Sequence, residues 1–155
     1  MYKCRQSFFD HRASNTIHLV GDCSPVPHNS SAAFNVPTCD WKERAIKRLT
    51  ELCALPQGWD GHNGKPANHD AVMFAANIIG LLMRPRVPMP SIMPLSYGGV
   101  QIEWHRNNWD VEIEVAAPNR MHVFAYNLAS GREESLDLTN SLEPIGHLLE
   151  KILIP

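Results

Sequence analysis

Five side chains between positions 103 and 114 have the types and spacing to do chemistry together: Glu103, His105, Asp110, Glu112 and Glu114. They alternate with apolar residues in the run QIEWHRNNWDVEIEV, and alternate residues of a strand share one face. Carboxylates beside an imidazole can share a proton, hold a divalent ion, or present a charged surface to a basic protein. Which of these applies depends on the elements that bring them together.

Asn107-Asn108 tolerates the positive φ that a two-residue hairpin turn demands. Closing there sets Trp104 opposite Val111, Ile102 opposite Ile113 and Val100 opposite Val115. Glu103 then faces Glu112, with Asp110 and Glu114 diagonal to it. Gly98-Gly99 predicts a second turn of the same kind, with Tyr97 opposite Val100, Leu95 opposite Ile102 and Met93 opposite Trp104. All the bulky residues fall on one face of this meander. Ser96, Gln101 and the five candidate residues fall on the other. Pro94 lacks an N–H and suits an edge strand.

Like charges directly opposite each other repel, by a few tenths to about 1 kcal/mol. Compensation can come from water and salt, from Arg106, Arg120 or Arg132, from a metal ion, or from a basic partner. A solvated face is the ordinary outcome, because exposed carboxylates cost little in water. An open strand face is also a poor place for the concave pocket that catalysis needs.

Two helices are expected before the meander. The first starts at Asp40 with Glu43 as a capping-box partner, and puts Trp41, Ala45, Leu49, Leu52 and Cys53 on one stripe. Cys53 therefore reads as core. The second, about 69–83 with Asn68 as its cap, is apolar nearly all round. It must be buried by the rest of the chain or shared with a second copy, which leaves a homodimer through 69–83 open. Between them, LPQGWDG offers Trp59 and Asp60. Trp59 either pins the loop against the helices or stands out as an interface anchor, and Asp60 can bond local amides. A fourth strand (121–128) and a fifth (133–138) follow, then a helix capped near Asn140 with Ile145, Leu148, Leu149, Ile152 and Leu153 at helical spacing. The fold class is α+β: an antiparallel meander of four to five strands, two preceding helices, and a C-terminal helix packed on one face.

The 155 residues suit one domain, over 40–155, preceded by an irregular or flexible arm at 1–39 rich in Ser, Pro and Asn. A net charge of −2 gives no electrostatic case for nucleic acid, and no apolar run is long enough for a bilayer. The four cysteines have no C-x-x-C pairing, so neither a zinc module nor a disulfide framework is expected. With no signal-peptide pattern at the start, the expected compartment is the cytoplasm. No P-loop, G-x-S-x-G, G-x-G-x-x-G or H-E-x-x-H occurs. Neither a cofactor nor a catalytic residue is assigned.

The runs ELCALPQGWDGHNGKPANHDAV (51–72) and PMPSIMPLSYGGVQIEWHRNNWDVEIEV (88–115) resemble a family of small uncharacterised bacterial proteins with a GWDG inter-helix loop and a GGVQIEW hairpin. The similarity covers roughly 51–128 and omits the longer N-terminal arm. It implies the same α+β fold and no established reaction, and it points towards an antitoxin-, immunity- or inhibitor-like role. The expected function is therefore non-catalytic binding of a protein partner, such as a toxin or defence enzyme. The contact would use the acidic sheet face, the Trp59–Asp60 loop or the arm. The alternatives are a small enzyme or metal-binding protein using the carboxylate and histidine cluster, and a homodimeric structural protein.

Overall fold

The computed structural model describes residues 40–153, so the expected arm at 1–39 lies outside the described residues. The elements run α1 (Asp40–Cys53), α2 (His69–Leu82), β1 (Ser91–Pro94), β2 (Val100–Arg106), β3 (Trp109–Ala117), β4 (Arg120–Asn127), β5 (Glu133–Leu138) and α3 (Glu143–Leu153). The strands form one antiparallel sheet in sequence order, β1-β2-β3-β4-β5. This is the α+β meander that the periodicities predict. Among the described residues no helix is long and apolar enough to cross a membrane.

The β2–β3 hairpin forms as its turn residues dictate. Asn107 and Asn108 have φ of 52° and 59°, the left-handed pair that lets a two-residue turn follow the strand twist. The resulting register pairs Trp104 with Val111, Ile102 with Ile113, Val100 with Val115 and Glu103 with Glu112.

The first hairpin corrects the expectation. Leu95 N–H donates to the Gly99 carbonyl at 3.0 Å and Gly98 N–H to the Leu95 carbonyl at 2.9 Å, so the loop is Ser96-Tyr97-Gly98. Only Gly98 is left-handed, at φ 96°, as in a turn closed by a glycine bulge. Ile92 therefore sits opposite Ile102 and Pro94 opposite Val100, and Leu95 is not opposite Ile102. The odd offset exchanges the faces of β1. Ile92 is buried, while Tyr97, expected in the core, is 51% exposed.

The core is one face of the sheet with helices over it. Val100, Ile102, Val111, Ile113, Val115 and Val123 are fully buried, together with Leu52 of α1, Ile78 and Ile79 of α2, and Ile145 and Ile152 of α3. Trp104 is buried too, and its indole N–H finds the Pro88 carbonyl at 2.8 Å. α2 touches both α1 and the central strands and buries Ala71, Val72, Ala75, Ile78, Ile79 and Leu82. Leu81 alone of its large apolar residues is exposed, at 38%. Asn68 caps α2 through the Asp70 amide at 2.8 Å, and Ser141 rather than Asn140 meets the first turn of α3. Cys53 is exposed: α1 ends there, and the stripe that buries Ala45, Leu49 and Leu52 does not reach it.

Gly146 lies inside α3, and a Cβ there would touch nothing within 4 Å. Gly146→Ala is expected to stabilise the protein by up to about 1 kcal/mol, because alanine loses less backbone entropy in a helix. Thermal denaturation of the two chains checks this.

Candidate functional site

The acidic face is built by register. β2 and β3 place Glu103 opposite Glu112, Gln101 opposite Glu114 and His105 opposite Asp110. β4 then adds Phe124 beside Glu112, His122 beside Glu114 and Tyr126 beside Asp110. β5 completes the rows with Ser135, Asp137 and Glu133. The five residues singled out from the sequence thus share one surface. Gln101 lies there as its alternation predicts, and Tyr97, Phe124, His122 and Asp137, which the sequence does not assign to this face, belong to it as well.

The charges on this face are partly answered from within. His105 Nδ1 lies 2.8 Å from Asp110 Oδ1, and its Nε2 lies 3.2 Å from Glu103 Oε1. Both ring nitrogens meet carboxylate oxygens, so both must donate, which favours the imidazolium. Hydrogen bonds to Asp110 and then Glu103 hold the His105 pKa above its ordinary value. Gln101 Nε2 donates to the other Glu103 oxygen at 2.9 Å, which allows Glu103 to be only 9% exposed. The Tyr97 hydroxyl reaches Glu114 at 3.4 Å.

Glu112 is the exception. Among the described residues it makes no hydrogen bond or ion pair; it sits opposite Glu103 and has Phe124 on its other side. Partial burial, and after it the charge of Glu103, push its carboxyl above the usual carboxylate range. The His105 charge offsets this in part, in the opposite direction.

The pH dependence follows from these groups. A raised histidine pKa contributes stability that is complete below about pH 6.5, and it is lost as pH rises through the folded-state value. The raised Glu112 pKa acts in the same sense, destabilising as pH rises past about 4.5. Stability is therefore expected to be greater at pH 6 than at pH 8.5. In His105→Gln the part of this slope above pH 6.5 should flatten, as read by urea midpoints across pH.

The Trp59–Asp60 loop is a separate construction. Asp60 Oδ1 accepts the amides of His62 at 2.9 Å and Gly64 at 2.8 Å, which hold its carboxyl below the usual range. A Cβ on Gly64 would come within 2.6 Å of that carboxylate, so the latch requires glycine there. The Trp59 indole donates to the Lys65 carbonyl at 2.9 Å, pinning a half-buried ring within its own loop. The Lys65 and Asn68 amides bond the Ser96 and Gly98 carbonyls, docking the loop on the first hairpin. No hydrogen bond or ion pair joins Trp59 or Asp60 to the acidic residues.

A cleft of about 530 Å³ opens at one end of the acidic face, lined by Tyr97, Glu114, Arg120, His122 and Asp137 over Ala116 and Met121. Beside it, Ser135 Oγ lies 3.2 Å from His122 Nε2, and His122 Nδ1 lies 2.8 Å from Asp137 Oδ1. The order hydroxyl, imidazole, carboxylate is that of a nucleophilic triad. Its surroundings differ, since the Asp137 side chain is 91% exposed and water screens the charge that must support an imidazolium. The trio ties β4 to β5. Among the described residues no group of three or more His, Cys, Asp or Glu side chains is placed to hold a metal ion.

The sequence signal for the second half of this face was weak. In RMHVFAYN both sides of the strand look apolar, and a bulge between Val115 and Ala117 breaks the parity that would carry the register forward from β3. A comparison of the chain with protein-family models, curated proteins and solved structures found no match.

Proposed function

We propose that this chain is a non-catalytic binding protein whose acidic sheet face receives a basic protein partner, in an antitoxin-, immunity- or inhibitor-like role. The cytoplasm is the compartment that fits four cysteines with no C-x-x-C spacing. The single observation that carries the reading is Glu112, a half-buried carboxylate placed opposite Glu103 that among the described residues has no hydrogen bond or ion pair, with only the nearby His105 charge to offset the repulsion. Folding alone gains nothing from that arrangement. A partner's lysine or arginine would relieve it, and a carboxylate already stripped of part of its hydration costs less to desolvate on binding. Phe124 beside it supplies the apolar contact that a long basic side chain covers with its methylenes.

The experiment uses the full chain, tagged, beside a Glu112→Lys variant, both expressed in the native host at near-native level. Wild type is expected to retain one stoichiometric basic protein that is released as salt rises, since pairs at a partly exposed face are screened. The variant should fold and lose that protein. Purification of wild type as a clean monomer, or retention of the partner by the variant, rejects the reading.

A further inference from the structure

The two edges of the sheet are finished differently. In β1, the Leu95 amide points to β2, so by alternation the backbone groups of Ile92 and Pro94 point outward. Neither leaves a normal pairing edge. The Ile92 carbonyl accepts Arg48 Nε at 2.8 Å, and Pro94 has no N–H to offer. Arginine and proline together close that side against another strand.

At β5 the same reasoning gives the opposite result. The Asn127 amide donates to the Arg132 carbonyl at 2.8 Å, so residues 132, 134, 136 and 138 turn their backbone towards β4. The N–H and C=O groups of Glu133, Ser135 and Asp137 turn outward. Among the described residues nothing pairs with them, and none of the three has an interaction beyond those given.

We propose that the partner docks by adding an extended segment to β5 as a sixth strand, with basic and apolar residues alternating along it. This rests on the acidic-face reading and adds to it the mode of attachment and the sequence class of the partner. Side chains beside Glu133, Ser135 and Asp137 would lie on the acidic face, continuing rows that lead to Asp110, Glu112 and Glu114. Those positions call for lysine or arginine. The intervening side chains would lie on the helix side beside Leu136, which is 37% exposed, and they call for apolar residues. Main-chain bonds supply the attachment and alternate side chains the specificity. A second copy is a poor occupant: antiparallel pairing about Ser135 sets Glu133 opposite Asp137, like charge against like.

The test uses the full chain and a capped heptapeptide of alternating lysine and valine, with a peptide of the same composition in two blocks as control. At low salt the alternating peptide should protect the amides of Glu133, Ser135 and Asp137 from hydrogen exchange at least tenfold, and the block peptide should not. Ser135→Pro, which removes an outward N–H, should weaken binding at least tenfold, while Ser135→Ala should change it less than twofold. If Ser135→Pro does not fold, wild-type amide protection decides. Equal affinity in a folded Ser135→Pro, protection of these amides before peptide is added, or equal binding of the block peptide overturns the proposal. Binding that depends on Glu112 but leaves the β5 amides unprotected overturns strand addition and keeps the acidic-face reading. Absence of binding at low salt overturns both.

Discussion

Glu112→Gln is expected to make the protein more stable and a worse binder at once. Removing one of two facing charges relieves a cross-strand repulsion of up to about 1 kcal/mol, or about 3 °C in Tm for a domain of this size. The glutamine keeps the shape of the side chain and still bonds to water, so no cavity or orphaned group offsets the gain. On the proposed acidic-face reading the same change removes the charge that a partner's cation would meet in a partly dry site, with an expected loss of at least tenfold in affinity. Opposite signs for stability and binding are the mark of a residue kept for function at the expense of the fold. Differential scanning calorimetry and a titration with the partner or the basic peptide read the two effects. A variant that is less stable than wild type would mean that Glu112 is compensated within the chain.

Gly99→Ala should produce the largest loss of stability, about 2–3 kcal/mol, through overpacking and not through dihedral strain. Gly99 has no left-handed φ. A Cβ there would nonetheless stand 2.8 Å from the Val115 carbonyl oxygen and 2.7 Å from Tyr97 Cε2. The carbonyl belongs to the neighbouring central strand and has nowhere to move without distorting the β2–β3 ladder. Tyr97, held by the same crowding over Glu114, would be displaced as well, so the variant should also lose the ring contact at the cleft. Urea denaturation measures the first effect and the chemical shifts of the Tyr97 ring the second. Gly98 in the same loop is required for a different reason, its φ of 96°, and its replacement by alanine is expected to cost about 1 kcal/mol.

Much of this protein was legible in its residues. Asn107-Asn108 fixes a two-residue turn because both asparagines accept a left-handed conformation, and a turn of known length dictates every pairing along its hairpin. The sequence alone therefore assigns Glu103, His105, Asp110, Glu112 and Glu114 to one face. The helices were equally readable, through the Asn68 cap and the apolar spacing of α3. What could not be read was any pairing whose loop admits more than one length. Diglycine at 98–99 allows a two-residue turn, but it also allows a bulged three-residue loop. The choice fell to packing, because Ile92 and not Leu95 fills the space over Ile102.

Tertiary structure also decided the electrostatics. Alternation puts five titratable groups on a face, yet it does not say that His105 bridges Glu103 and Asp110 while Glu112, among the described residues, has no hydrogen bond and feels that histidine only at a distance. That outcome depends on side-chain reach across strands and on how much water each group keeps, and neither is a property of spacing. The finishing of the two sheet edges is of the same kind. Pro94 could be assigned to an edge from its missing donor, but the arginine that closes the Ile92 carbonyl comes from a helix 44 positions earlier. The chain's own pattern determined which residues share a surface. The folded structure determined which of them are satisfied there, because desolvation and long-range contacts exist only once the elements have met.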